Sequence, residues 1–265
     1  MSIKSKTIDE HLDYLFNIVK LKLFFLAKWQ KEHPEEEFSF ILRNRIDIFR
    51  KTNINPEGLN PVGQYWNLPQ WQELENHLHE IYVHVNGDEN CFELWGFDYL
   101  RPTLEARCER DFYDMSRLAG YQCGFLRYNL KPNDDGVTLG FHIANDCAPN
   151  SFFDNPLYIK KCFNDLLDAA EHKFNLSNIS CSSWLNSVPK WLALFPQEWQ
   201  DNLSEPDLDI KWHYGFWGQM INARGCFNEK NANILRKTGQ MPFSRRTSLC
   251  SVKNLRNHIN SKFLK

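Results

Sequence analysis

The sequence predicts an α/β protein of the α+β kind, with a helical N-terminal domain over 1–119 and an α/β domain over 120–265. Three observations predict it. Before residue 120 apolar side chains recur three and four apart, the period of a helix with one buried face. From Tyr121 the pattern becomes alternation, with a turn cluster at Lys131–Gly136 between two runs. Beyond it, helical periods and short alternating runs take turns, the order that builds a sheet with antiparallel and parallel parts.

The elements follow in order. Thr7-Ile8-Asp9-Glu10 is a capping box that opens a helix expected to run to Glu32, where His33-Pro34 stops it. Glu35–Lys51 reads as a second amphipathic helix, with acids first and Arg50 and Lys51 last, as the helix dipole favours. Asn53–Asn67 carries Pro56, Gly58, Pro61 and Gly63 and reads as a loop. Pro69–Val85 is a third helix closed by Asn86-Gly87, and Pro102–Leu118 a further one closed by Gly120.

Tyr121–Leu130 and Val137–Ala144 read as the strands of a hairpin. In the second strand Val137, Leu139, Phe141 and Ile143 point one way, so His142 lies on the less apolar face with Thr138 and Gly140. Asn145–Asn155 is a loop before a helix that starts at Pro156. A short strand over Asn178–Trp184 and an aromatic helical stretch to Trp199 come next. Lys211–Ile221 reads as a long strand, Asn228–Lys237 as a helix, Thr247–Val252 as the last strand and Val252–Phe263 as the closing helix. Ligands of such sheets favour the carboxyl ends of strands, which directs attention to Ala144–Asn155 and Ser182–Asn186.

Composition narrows the class. The hydrophobic share of 42% and charged share of 24% are those of a globular chain. The apolar run Ile18–Ala27 is interrupted by Lys20 and Lys22 and falls short of a span, so no membrane partner is expected. The N-terminus lacks the basic-then-apolar order of a secretory signal, and a cytoplasmic location is expected. Eight scattered cysteines without a C-x-x-C pair argue for buried thiols and against a metal site. Charge is uneven: Lys211–Lys265 holds eleven Lys and Arg against Glu229 alone, and the rest of the chain is acidic. A basic tail on an acidic body fits either a phosphate-bearing partner or docking of one half on the other.

Val137–Ala144 with its His-Ile pair, the helix after Pro156, Cys181-Ser-Ser-Trp-Leu185 and Pro242-Phe-Ser-Arg-Arg-Thr-Ser-Leu249 together resemble the GNAT-like C-terminal acyltransferase domain family. The resemblance spans Arg110 to Asn260 and implies a modified N-acetyltransferase fold with a mixed, mostly antiparallel sheet. It implies an acyltransferase that moves an acyl group from acyl-CoA or acetyl-CoA to an amine or hydroxyl acceptor. The chain departs from the family at Asn186-Ser-Val-Pro189 and at the insertion Trp212–Gln219.

Acyl transfer needs a base, and His142 is the first candidate, with His213 the second, because imidazole titrates near neutral pH. Ser183 joins them as a hydroxyl or hydrogen-bonding group at a strand end, while Cys181 shares a face with Ile179 and is expected to be buried. The loop where the resemblance places the cofactor phosphates contains Asn145 and Ser151 but no glycine. Arg224, Arg245 and Arg246 are therefore expected to supply phosphate contacts. Trp184, Asn186, Trp217 and Gln219 are the candidate substrate-binding residues. The alternative is a nucleic-acid-binding or regulatory module, with basic residues on backbone phosphates and Trp212, Tyr214, Phe216 and Trp217 stacked on bases.

Overall fold

The computed structural model describes residues 6–55, 66–114 and 120–262. Its helices are α1 (Ile8–Glu32), α2 (Phe38–Ile41), α3 (Pro69–His84), α4 (Glu89–Tyr113) and α5 (Pro156–Asp168) in the first part of the chain. They are followed by α6 (Pro189–Leu192), α7 (Gln197–Asp201), α8 (Tyr214–Trp217), α9 (Glu229–Thr238) and α10 (Val252–Lys262). The strands are β1 (Leu126–Tyr128), β2 (Thr138–Ile143), β3 (Asn178–Ser183) and β4 (Arg246–Ser251). Among the described residues no helix is long and apolar enough to cross a membrane.

The chain divides into two compact units. Lys6–Asp114 and Asp209–Pro242 form a helical unit, and residues 120–208 with 243–262 form a sheet unit. This differs from a division at 119/120, because Asp209–Pro242 packs its apolar side chains into the helical core. Ile210, Phe216, Trp217, Met220, Ala232 and Leu235 are buried in one cluster with α1 and α4 residues.

In the helical unit the predicted capping box is present: Thr7 accepts from the Glu10 amide, and Glu10 from the Thr7 amide. The expected helix over Glu35–Lys51 is broken. After α2 comes a π-helical turn, Leu42–Ile46, then Asp47 in the left-handed region at φ 45°, then a 3-10 turn over Phe49–Lys51. The buried Lys22 ammonium accounts for the break, since it takes the Ile46 and Asp47 carbonyls that a continuing helix would use. α4 begins at Glu89, capped by Asp88, and passes through Pro102. The Pro56, Gly58, Pro61 and Gly63 loop signals, the last residues of the Pro102–Leu118 helix and Phe263 lie outside the described residues.

The strand expected over Lys211–Ile221 is not one. His213 caps α8 by accepting from the Gly215 amide, and a 3-10 turn follows over Gly218–Met220. Aromatics at every second position imitate a strand, but Phe216 and Trp217 are both buried, and Trp217 donates its indole N–H to the Arg45 carbonyl. With Phe216 and Trp217 buried in the helical core, the segment belongs to none of the described strands.

The sheet unit is a four-stranded mixed sheet in the order β1-β2-β3-β4. β1 and β2 are the two arms of the predicted hairpin and pair antiparallel; β3 and β4 are antiparallel as well. β2 and β3 are parallel, and α5 makes the crossover that a parallel connection requires. α5 starts at Pro156 under an Asn155 cap and buries Ile159, Cys162, Phe163, Leu166 and Leu167, a single stripe at helical spacing. These join Phe125, Leu139, Phe141, Ile179, Cys181, Trp191 and Trp199 in the core. Each fully buried large apolar side chain there contributes about 1.5–3 kcal/mol relative to exposure. The first arm is shorter than expected because Gly124 turns at φ 63°, where a side chain would run into Tyr158 and Cys162.

Candidate functional site

Residues paired across an antiparallel hairpin point to the same face. Arg127 pairs with His142, while Leu126 and Tyr128 pair with Ile143 and Phe141 on the buried face. His142 is exposed on the outer face, as the alternation predicts. Its Nε2 lies 2.9 Å from Asn129 Oδ1. With Oδ1 accepting, the ring proton sits on Nε2 and the Nδ1 lone pair is left for a substrate proton. Desolvation first, and the Arg127 cation second, hold the His142 pKa below the ordinary imidazole range. The ring is therefore neutral, and basic, at neutral pH.

Gly140 makes this arrangement possible through space. A Cβ on it would lie 2.5 Å from Asn129 Nδ2 and 2.9 Å from Asn133 Oδ1. Asn133 in turn donates to Ser180 Oγ at 3.0 Å. Gly140→Ala is expected to displace both amides and cost about 1–3 kcal/mol of stability, as overpacking does. Urea unfolding measures it; a variant as stable as the parent would show that the two asparagines move freely.

The β2–β3 register covers Thr138↔Asn178, Leu139↔Ile179 and Gly140↔Ser180. There it ends. Phe141, His142 and Ile143 go on paired with β1, and Cys181, Ser182 and Ser183 go on paired with β4. Two parallel strands thus share a ladder at one end and none at the other. The unmatched end lies beside His142.

Compared with known proteins, the chain matches no family model, no curated protein and no solved structure.

The other candidates separate into those near His142 on the sheet and those that are not. Ser180 and Ser182 share the His142 face, and Ser182 Oγ lies 2.7 Å from Thr247 Oγ1. Ser183 is on the opposite, buried face, where its Oγ accepts from the Leu185 amide and caps a 3-10 turn. Cys181 is buried beside it, as expected, and desolvation pushes its thiol up to about 12. Trp184 is half-buried with its ring 5.9 Å from Phe243.

Asn186 is not available to a substrate. It is fully buried, its Nδ2 donates to the Cys181 and Arg246 carbonyls at 2.9 Å, and its Oδ1 accepts from the Trp191 and Trp199 indoles. All four of its hydrogen-bonding positions are used. Its role is structural: it joins the end of β3, the start of β4, α6 and α7.

The loop expected to hold phosphates is closed on itself. Asn145 accepts from the Cys147 and Phe152 amides and donates to the Asn150 carbonyl. Ser151 caps Phe153 and is capped in return by Asp154, while Asn155 takes the Tyr158 amide at the start of α5. Asn145 and Ser151 therefore shape the loop. Arg245 is ion-paired with Asp207 at 2.8 Å, and Arg246 Nε donates to the Ser204 carbonyl at 2.7 Å.

His213, Trp217, Gln219 and Arg224 belong to the helical unit. His213 serves as the α8 cap, Trp217 and Gln219 are buried, and Gln219 donates to the Phe216 carbonyl. Arg224 pairs with Glu10 at 2.9 Å. Likewise Arg236 pairs with Glu93, and Arg256 with Asp168 and Glu171, so much of the basic excess is matched by acids within each unit. Of the aromatics suited to stacking on bases, Phe216 and Trp217 are buried, Trp212 is half-buried under the Arg50 guanidinium, and Tyr214 is exposed.

Among the described residues, Asp168, Glu171 and His172 come close enough together to hold a cation. The Arg256 guanidinium bonds both carboxylates of that group. Sequence reasoning passed over Arg127 and Asn129. Its one available signal was the hairpin, whose register places Arg127 opposite His142.

Proposed function

We propose that the protein is an acyltransferase that moves an acyl group from a CoA-type thioester to an amine or hydroxyl acceptor on a GNAT-like sheet unit. The observation that carries this proposal is the β2–β3 pair, whose ladder stops after Gly140↔Ser180 next to His142. Backbone edges that part in this way need hydrogen-bond partners. The extended, amide-bearing arm of a CoA-type thioester supplies such partners in the manner of an added strand. The carbonyl to be attacked then lies near the imidazole.

His142 Nδ1 takes the proton from the acceptor amine or hydroxyl as that atom attacks the thioester carbonyl. The tetrahedral oxyanion is stabilised by backbone N–H donors along the unmatched strand edges. On collapse the carbon–sulfur bond breaks, and the leaving thiolate takes the proton held by the His142 imidazolium, which returns the base to its starting state. Desolvation, and after it the Arg127 cation, favour the unprotonated imidazole, so that it enters the cycle as a base.

A thermal-shift panel with CoA, acetyl-CoA and longer acyl-CoAs tests the donor. A ligand bound only by the folded form stabilises it by about 2.7 kcal/mol at a hundredfold excess over its Kd. An upward shift with a thioester is the expected result. Identical melting curves with every thioester at saturation would overturn the proposal.

A further inference from the structure

The side chain paired with His142 is Arg127, which bonds no acid among the described residues. The described arginines of the sheet unit are Arg127, Arg245, Arg246 and Arg256. Arg245 is held by Asp207, Arg256 by Asp168 and Glu171, and Arg246 by the Ser204 carbonyl. Arg127 makes its described contact with the Tyr121 ring, 5.5 Å from the guanidinium carbon to the ring centroid. Among the described residues no carboxylate or carbonyl oxygen is bonded to it. It is half-buried, and it stands on the same outer face as His142, directly opposite in the hairpin register.

A guanidinium presents a planar fork that fits a carboxylate through two parallel hydrogen bonds. The aromatic face of Tyr121 supports the cation without neutralising it. Partly desolvated and lacking a protein anion, the fork is a receptor for one brought by a ligand. Cross-strand partners of the hydrogen-bonded type have Cα atoms about 5.5 Å apart. A small molecule therefore reaches both side chains when its anion and its nucleophile are a few bonds apart.

We propose that Arg127 binds a carboxylate of the acceptor substrate, so that the acceptor is a carboxylate-bearing amine of the amino-acid type whose amino group is delivered to His142. Arg127 is then a specificity-determining residue for the transfer. This rests on the acyltransferase proposal for the meaning of the site, but binding of the carboxylate can be measured without turnover.

The test follows the His142 imidazole resonance by NMR, assigned by its loss in His142→Gln, at constant ionic strength. Glycine, glycinamide and inorganic phosphate are the probes. Glycine seated with its carboxylate on Arg127 brings its amino group beside the imidazole, so it is expected to shift the imidazole resonance saturably at a fixed pH. Glycinamide is expected to leave it in place. In Arg127→Gln the unliganded titration midpoint is expected to start higher, and the resonance no longer to respond to glycine. No response to glycine, or an equal response in Arg127→Gln, would overturn the inference. A response to phosphate but not glycine would also overturn it, because it would assign Arg127 to a phosphate-bearing donor. If glycine binds as expected while no acyl-CoA shifts the melting curve, the carboxylate site stands and the donor proposal falls.

Discussion

Replacing Asn186 with alanine is expected to destabilise the sheet unit by about 3–6 kcal/mol, since each buried polar group left without a partner costs about 1–3 kcal/mol. The amide serves four partners at once: the carbonyls of Cys181 and Arg246 and the indole N–H groups of Trp191 and Trp199. Alanine leaves the Cys181 carbonyl and both indoles without a partner in a space closed to solvent, and the Arg246 carbonyl in one partly closed. Asn186→Asp should fare little better. Its carboxylate still accepts from the two indoles but faces two carbonyl oxygens that offer it no proton. Urea unfolding measures the loss, and a double-mutant cycle with Trp191→Phe measures the coupling, expected at about 0.5–3 kcal/mol for residues in one network. A midpoint unchanged in Asn186→Ala would show that the interior rearranges around the loss.

His142→Ala is expected to lower turnover by about a hundred- to ten-thousandfold, the usual range for a positioned general base. The thioester-induced rise in melting temperature should survive, because the strand edges that receive the donor are untouched. The sign of the pH dependence follows from the depressed pKa. The base works only when deprotonated, so the rate is full at neutral pH and falls as pH drops through the folded pKa, below the ordinary imidazole value. Arg127→Gln removes the nearby cation and should shift that acid limb upward. Undiminished turnover in His142→Ala would remove the residue from catalysis, whatever the donor.

Local chemistry explains which parts of the fold were legible. The capping box at Thr7, the Asn155-Pro156 start of α5 and the turn cluster between β1 and β2 each draw their partners from a few residues away. Alternation along β2 was enough to put His142 on the outer face, because a period of two needs no knowledge of the neighbour. The Lys211–Ile221 segment failed for the converse reason. Its alternating aromatics satisfy a strand pattern, but Trp217 bonds to Arg45 and packs edge-on against Phe25, both distant in sequence.

The candidate site divides in the same way. Ser182 and Ser183 are neighbours of identical chemistry that alternation puts on opposite faces, and the β3–β4 register adds that Ser182 meets Thr247. Asn186 looked like a ligand at a strand end because its partners are 5, 13 and 60 residues away. Arg224 and Arg245 looked like free cations until folding brought Glu10 and Asp207 to them.

The amino-acid order by itself therefore determined the mixed class, the hairpin, the helix that follows it and the outward aspect of His142, all of which depend on contacts short in sequence. Tertiary structure alone decided where the β2–β3 ladder ends, which polar groups are already satisfied and that Arg127, among the described residues, bonds neither an acid nor a carbonyl oxygen. Those are properties of pairs brought together across long stretches of chain. A linear pattern carries the periodicity of each partner but not the identity of the other.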